Sequence, residues 1–225
     1  MLKLSEVFSV ANLLFLLRGA GLSLGIAVAT ITIGLLLGTA IAAVRVGNNR
    51  FLKLPAVVYV EVVRGTPMLL QISVFYLALP YLYKAVTGHY LPVDPLIMGI
   101  IAIGLNSAAY LSEVIRAAVN SIDIGQWEAG QSIGLNQKQL LKKIILPQAY
   151  KRVIPPLVNE FITLIKDSSL VSTIGVVELM KAAGILTSRY YDLFSPLIGA
   201  AAMYLVMTVF ISYLANDLEK RLNND

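Results

Sequence analysis

The sequence predicts an all-α integral membrane protein with five transmembrane helices, its amino terminus outside the cell and its carboxyl terminus inside. Of the 225 residues, 57% are hydrophobic and only 14% are charged, whereas soluble domains carry about 25% charged residues. The mean hydropathy is +0.76. Uncharged stretches long enough to cross a hydrocarbon core of about 30 Å recur along the chain. We therefore expect residues 1–225 to form a single membrane domain.

The first span is the clearest of the five. No charged residue lies between Arg18 and Arg45, and about 20 apolar residues suffice to cross a bilayer. The stretch is too long for a signal-peptide core and lacks a suitable cleavage site, so we predict that it is retained as a span over residues 19–45. The four remaining spans are predicted at residues 54–84, 95–120, 152–170 and 193–217.

Two of these spans contain an acid followed three residues later by an arginine. Glu61 and Arg64 lie near the start of the second span, and Glu113 and Arg116 lie near the end of the third. This spacing is typical of ion pairs within one helix. The intervening Gly65-Thr66-Pro67 is expected to break or bend the second span, because proline removes a backbone donor.

The distribution of positive charge predicts the orientation. Arg45, Arg50 and Lys53 follow the first span without any acid, the loop after the second span is nearly balanced, and the loop after the third span again has an excess of cations. Cytoplasmic loops carry such an excess. The net charge of +5 therefore reflects membrane orientation, and no nucleic-acid partner is expected.

The sequence offers little for metal or cofactor chemistry. It contains no cysteine and a single histidine, His89, which is too few ligands for an imidazole or thiolate metal site. It also lacks the Gly-x-x-x-x-Gly-Lys-Ser/Thr loop that holds nucleotide phosphates. We therefore expect no cofactor and no metal site in this chain.

The loop GQWEAGQSIGLNQKQLLKKIILP, residues 125–147, carries helix start and stop signals although it cannot span a membrane. A short helix is predicted at about residues 126–134, with Gly134 as its left-handed cap. Asn136 and Gln139 have the spacing of a capping box, so a second helix should begin there and run to Pro147. Trp127, Ile133 and Leu135 are predicted apolar anchors of the short helix, which needs a partner to be stable.

This loop resembles the signature of the permease subunits of bacterial ABC importers, in particular those of the histidine, lysine, arginine and glutamine permease family. The matching residues are Glu128-Ala129-Gly130, Gly134 and Leu146-Pro147, with Gly130 in place of the usual alanine. That exchange lowers helix propensity by roughly 1 kcal/mol. The resemblance extends to EVVRGTPMLLQ, YLSEVIRAAVNSI and KDSSLVSTIGVVEL.

The resemblance implies a multi-pass protein of the bacterial cell membrane that forms half of a translocation pathway. It implies that the short helix is a coupling helix, which contacts a separate cytosolic subunit that binds ATP and Mg and hydrolyses the nucleotide. A second permease chain, an extracytoplasmic substrate-binding protein and an amino-acid substrate are the other implied partners, besides membrane lipid. The implied coupling residues are Gln126, Trp127, Glu128, Ala129, Gly130, Gly134 and Leu135.

Glu160 lies about eight residues inside the fourth predicted span, or roughly 12 Å deep. A carboxylate there is functional or paired. One interpretation is structural, with Arg64 or Arg116 as its partner. The other is that Glu160 contacts the positive side chain of a cationic amino acid (arginine, lysine or histidine), as the resemblance implies. The predicted substrate-binding residues are then Glu160, Asn159, Thr163 and Met68.

Two other functional classes remain open at this stage. A secondary transporter driven by an ion gradient could use intramembrane carboxylates such as Glu160 and Glu113. Five spans without an internal repeat argue against it. An intramembrane enzyme is less well supported, because the sequence shows no nucleophile and base pair and no metal motif.

Overall fold

A computed structural model of the chain describes residues 7–47 and 49–224, and the regular structure in those residues is entirely helical. We number the helices α1 to α8 in chain order. Their bounds are Val10–Val46 (α1), Arg50–Arg64 (α2), Met68–Thr87 (α3), Pro95–Asn120 (α4), Ile124–Ser132 (α5), Gln137–Ile174 (α6), Leu179–Tyr190 (α7) and Phe194–Asn224 (α8).

Within the described residues, four helices are long and apolar enough to cross a membrane, namely α1, α3, α4 and α8. A fifth candidate is the pair of α6 and α7, which are bent by 51° at the break between them and pass the same test together. The number of spans is therefore four, or five if the bent pair crosses as one. The break contains Gly175, whose φ of +96° lies in the left-handed region that favours glycine.

Helices α1 and α4 form the centre of the bundle and pack closely along their length. Two glycines of α1 allow this approach. A Cβ atom on Gly34 would lie 2.5 Å from the Ser107 hydroxyl, and one on Gly38 would lie 2.9 Å from the Ala108 carbonyl oxygen. Small residues permit close helix contact where lipid provides no hydrophobic driving force between helices.

The second predicted span, residues 54–84, is not one helix. Helix α2 ends at Arg64 and α3 begins at Met68. The Gln71 side chain holds the break together, because its Nε2 donates to the Val63 carbonyl at 2.7 Å and to the Thr66 hydroxyl at 2.9 Å. Asn106 of α4 donates to Gln71 Oε1 at 3.0 Å. The break predicted from the glycine and proline is therefore present, and it is firmly attached to α4.

The helix predicted to stop at Pro147 continues instead to Ile174. A π-helical turn at Leu141–Ile145 directly precedes this proline. A second π-helical turn, Val74–Ala78, precedes Pro80 in the same way. Because the proline ring clashes with the carbonyl four residues earlier in an α-helix, the wider turn gives it room and the helix proceeds.

Glu178 begins α7 and is completely buried. Its carboxylate accepts hydrogen bonds from the backbone N–H groups of Met180 and Lys181, both at 2.8 Å. Ser23 of α1 and Tyr204 of α8 donate to the same carboxylate at 3.3 Å and 2.9 Å. One side chain thus caps α7 and joins it to two neighbouring helices.

Candidate coupling loop and polar helix face

The loop between α4 and α6 has the caps that its sequence predicts, although the short helix is Ile124–Ser132 and begins two residues before the predicted 126–134. Asp123 accepts a hydrogen bond from the Gly125 N–H at 2.7 Å where α5 begins. After α5, Gly134 adopts a φ of +82°. Asn136 and Gln139 then form a reciprocal capping box, with hydrogen bonds of 3.0 Å and 3.1 Å. The chain therefore makes a short helix, a glycine bend and a new helix start.

An apolar cluster attaches this loop to the ends of two membrane helices. Leu140, Ile145 and Ala149 of α6 pack against Val119 of α4, and Trp127 of α5 packs on the outside of this cluster. Leu135 packs there as well. The loop is therefore packed against both α4 and α6.

The residues implied for coupling differ in exposure. Gly130 is buried, Trp127 and Leu135 are half-buried, and the remainder are exposed, namely Gln126, Glu128, Ala129 and Gly134. Ile133, predicted as an apolar anchor, is 74% exposed and does not anchor the helix to the bundle. Ile124, at the other end of α5, is 68% exposed. The loop therefore presents apolar and acidic side chains on its outer surface.

Gly130 is the point of closest contact between α5 and α6. A Cβ atom at this position would lie 2.1 Å from Cδ1 of Leu140, and Leu140 itself is completely buried. The leucine side chain occupies the space that an alanine methyl group would need. The glycine that departs from the family signature thus has a packing role.

A three-membered ion network lies at the same end of the bundle. Glu113 of α4 binds Arg116 within its own helix, as predicted, and also binds Arg45 of α1. The other predicted pair is wrong: Glu61 and Arg64 form no ion pair in the described part of the chain. Arg64 instead lies over the ring of Tyr110 in α4, 5.3 Å from its centroid.

Glu160 is half-buried on α6 and faces α4. Ser107 of α4 is the neighbouring polar group, and its hydroxyl is buried. The proposed arginine partners are wrong, because Arg116 binds Glu113 and Arg64 lies over an aromatic ring. Among the described residues, no cation pairs with the Glu160 carboxylate.

The other predicted substrate-binding residues lie on two helices. Asn159 and Thr163 are exposed one turn apart on α6, and the Thr163 hydroxyl donates to the Asn159 carbonyl at 2.9 Å. Met68 is the first residue of α3 and packs against the apolar cluster that includes Leu164 of α6. The structure thus places Asn159, Glu160 and Thr163 together on α6, and it places Met68 on α3 against an apolar cluster to which several helices contribute.

The burial of the charged residues Glu178 and Arg45 is not predicted from the sequence. Arg45 is expected only in the loop that follows the first span. Glu178 could have been found as a helix start, although Glu is not among the preferred N-cap residues. Arg45 carries no local signal, because its partner Glu113 is distant in sequence.

These features define a class of protein: a helical membrane subunit with a preformed loop at one end and an acid-bearing polar face on a bent span. Residues 30–224 match the family described as binding-protein-dependent transport system inner membrane component. The chain is also similar to the putative glutamine transport system permease protein GlnP of Rickettsia bellii (strain RML369-C). The two are 40% identical over 211 residues, or 94% of each chain.

Two proteins of Bacillus subtilis (strain 168) are similar as well. The arginine transport system permease protein ArtQ is 36% identical over 211 residues, 94% of each chain. The L-cystine transport system permease protein TcyB is 39% identical over 191 residues, 84% of this chain and 79% of that one.

Solved structures show the same architecture. A crystal structure of an amino acid ABC transporter with histidines superposes with a TM-score of 0.85 at 37% identity, covering 92% of this chain and 94% of that chain. A chain of the inward-facing MetNI methionine ABC transporter has the same fold, with a TM-score of 0.75 at 17% identity, covering 96% and 99%.

The chain therefore belongs to the binding-protein-dependent transport system inner membrane component family. It is the permease subunit of an ABC transporter and a multi-pass protein of the inner membrane. This assignment does not favour the gradient-driven transporter.

Proposed function

We propose that the chain forms half of the translocation pathway of an importer for polar amino acids and that it prefers cationic ones. A second permease chain would complete the pathway, two ATP-binding subunits would contact the coupling loop, and a substrate-binding protein would deliver the amino acid from outside. The relatives named for glutamine, arginine and cystine transport support an amino-acid substrate.

The half-buried Glu160 carboxylate, which has no cationic partner among the described residues, is the observation that carries the preference for cations. A carboxylate within a membrane span is stable when a positive charge compensates it. The guanidinium or ammonium group of a substrate can supply that charge, and Asn159 beside it can donate and accept hydrogen bonds.

The coupling role rests on the rigid attachment of α5. Its exposed surface combines Glu128 with the apolar side chains of Ile124 and Ile133, which have no contact within the described chain that would cover them. A groove on a partner subunit can cover them. ATP-driven closure of the partners would then move α5, and the packed cluster would carry the motion to α4 and α6.

The substrate proposal is tested by uptake into vesicles that contain the complete transporter. Glu160→Gln should reduce arginine uptake at least tenfold and leave glutamine uptake unchanged, because the amide keeps hydrogen bonding and loses the charge. Glu61→Gln is the matched control, since Glu61 is an exposed acid on α2. Equal arginine uptake by Glu160→Gln and the wild type would refute the cationic preference.

The coupling proposal is tested by purification of the tagged chain from its native membrane in mild detergent. The wild type should retain a stoichiometric ATPase subunit, and Glu128→Lys and Gly134→Asp should lose it. His89→Lys adds a charge on an exposed loop between α3 and α4 and should retain the subunit. Retention by both loop variants would contradict a contact at α5.

A further inference from the structure

Three neighbouring cavities form one groove along α1. The first has a volume of about 450 Å³ and lies between the carboxyl-terminal part of α1, the end of α4 and Trp127 of the coupling loop. The second, of about 490 Å³, shares Thr39, Val119 and Leu146 with the first. Leu157 lines both the second cavity and a third of about 410 Å³. The groove therefore follows α1 on one side and α6 on the other.

The groove lies on the side of α6 opposite to Asn159, and Glu160 lies between the two on the helix surface. Leu157 lines the groove and Asn159 lies two residues further on. Two residues correspond to a rotation of about 200° in an α-helix. If Asn159 borders the pathway, as the proposed function holds, the groove faces away from the pathway and toward lipid.

The middle of this groove carries a cation, whereas the rest is mainly apolar. Lys142 lines the second cavity, its side chain is exposed, and it forms no ion pair among the described residues. Tyr150 lies near it and is 64% exposed. Further along, the lining residues are aliphatic, such as Leu35 and Leu157. An apolar channel with a cation and a phenol beside it matches the chemistry of an anionic phospholipid.

We propose that this groove binds one anionic phospholipid of the cytoplasmic leaflet. An acyl chain would lie between α1 and α6, and the phosphate would be bound by Lys142. This assignment rests on the proposed function for the direction that the groove faces. Trp127, Gln137 and Leu141 line the first cavity, so the bound lipid also contacts the coupling loop. Lipid occupancy would then affect how ATP hydrolysis is coupled to transport.

The test uses the complete transporter reconstituted in vesicles of phosphatidylglycerol and phosphatidylcholine in equal amounts. Native mass spectrometry after extraction counts the lipids that each complex retains. The wild type should retain one phosphatidylglycerol per copy of this chain. Lys142→Glu should lower that retention at least tenfold, and Thr39→Phe should do the same by filling both cavities that Thr39 lines.

Lys143→Glu is the matched control, because Lys143 is exposed, adjacent in sequence and does not line the groove. This variant should retain the lipid. Equal loss in both lysine variants would show diffuse attraction to the anionic surface and overturn the site, as would equal retention in all four proteins.

A second readout separates this proposal from the proposed function. ATPase activity stimulated by the binding protein should be higher in the mixed vesicles than in pure phosphatidylcholine, and Lys142→Glu should remove the difference. Normal arginine uptake without any retained phosphatidylglycerol would refute the lipid site alone. Retained lipid in a complex whose uptake does not depend on Glu160 would refute the substrate assignment alone.

Discussion

Arg45 of α1 forms an ion pair with Glu113 of α4, so that the two central helices are joined by charge at the end nearest the coupling loop. The Arg45 side chain is only 7% exposed and that of Glu113 is 22% exposed. Arg116 is 33% exposed and binds the other carboxylate oxygen. The buried and the exposed arginine therefore hold the same carboxylate from two helices.

Removal of Arg45 should destabilise the bundle more than removal of Arg116. Arg45→Ala removes a charged hydrogen bond between helices and leaves Glu113 paired with Arg116, so we expect a loss of about 2 kcal/mol. Arg116→Ala removes a more exposed pair within one helix and should cost less than about 1 kcal/mol. Thermal unfolding of the purified variants in detergent measures both. Equal losses would mean that the contact with α1 contributes no additional stability.

Truncation of Glu178 should be among the most damaging single changes. Glu178→Ala leaves two backbone N–H groups and the hydroxyls of Ser23 and Tyr204 without their acceptor in a buried site. Each buried unsatisfied donor costs about 1–3 kcal/mol. Tyr204→Phe removes a single donor and should cost about 1 kcal/mol. Unfolding temperatures that fall equally for the two variants would argue against this network.

Two glycine-to-alanine substitutions, which are expected to change stability in opposite directions, test the bend after α5. Gly134 has a φ of +82°, and Gly134→Ala should destabilise the loop by about 1 kcal/mol although the added methyl group meets no atom within 4 Å. Gly184 lies inside α7 with equally free space. Gly184→Ala should stabilise that helix by up to about 1 kcal/mol. Hydrogen exchange of the two segments reports each effect locally, and protection that increases in both would contradict the strain at Gly134.

Restoring the alanine of the family signature should not stabilise this chain. Gly130→Ala improves helix propensity by about 1 kcal/mol, but its methyl group would displace Leu140, and overpacking costs about 1–3 kcal/mol. Leu140→Val introduced together with Gly130→Ala should recover at least half of that loss. The four proteins of this double-mutant cycle are compared by unfolding temperature. Additive effects would show that the two positions do not interact.

The caps in the loop between α4 and α6 could be predicted because their signals are local. The cap at Gly134 and the reciprocal bonds of Asn136 and Gln139 each depend on a few consecutive residues. The all-helical class follows similarly from composition and from uncharged length. The exposure of Ile133 could not be predicted. The same sequence pattern is expected for an apolar residue that packs on the bundle and for one that faces outward to contact a partner.

Contacts between helices were beyond the reach of sequence reasoning. The spacing of Glu61 and Arg64 predicted a local ion pair, but Arg64 lies over the ring of Tyr110 in another helix. The sequence indicated that Glu113 pairs with Arg116 in its own helix, but it did not indicate the second partner, Arg45. Charges at short spacing reveal only neighbours on one helix, whereas packing decides which distant groups meet.

The π-helical turn at Leu141–Ile145 has a consequence for comparisons of chain length among relatives. Each residue rotates an α-helix by about 100°, and a π turn accommodates an additional residue. Deletion of one residue from this turn would therefore return it to a regular α-helix and keep the direction of α5 relative to Asn159, whereas the same deletion in the regular part of α6 would rotate one relative to the other by about 100°. A gap of one position in an alignment at this turn is thus compatible with an unchanged docking direction, and deletion scanning of α6 should show loss of assembly without loss of folding outside the turn and not within it.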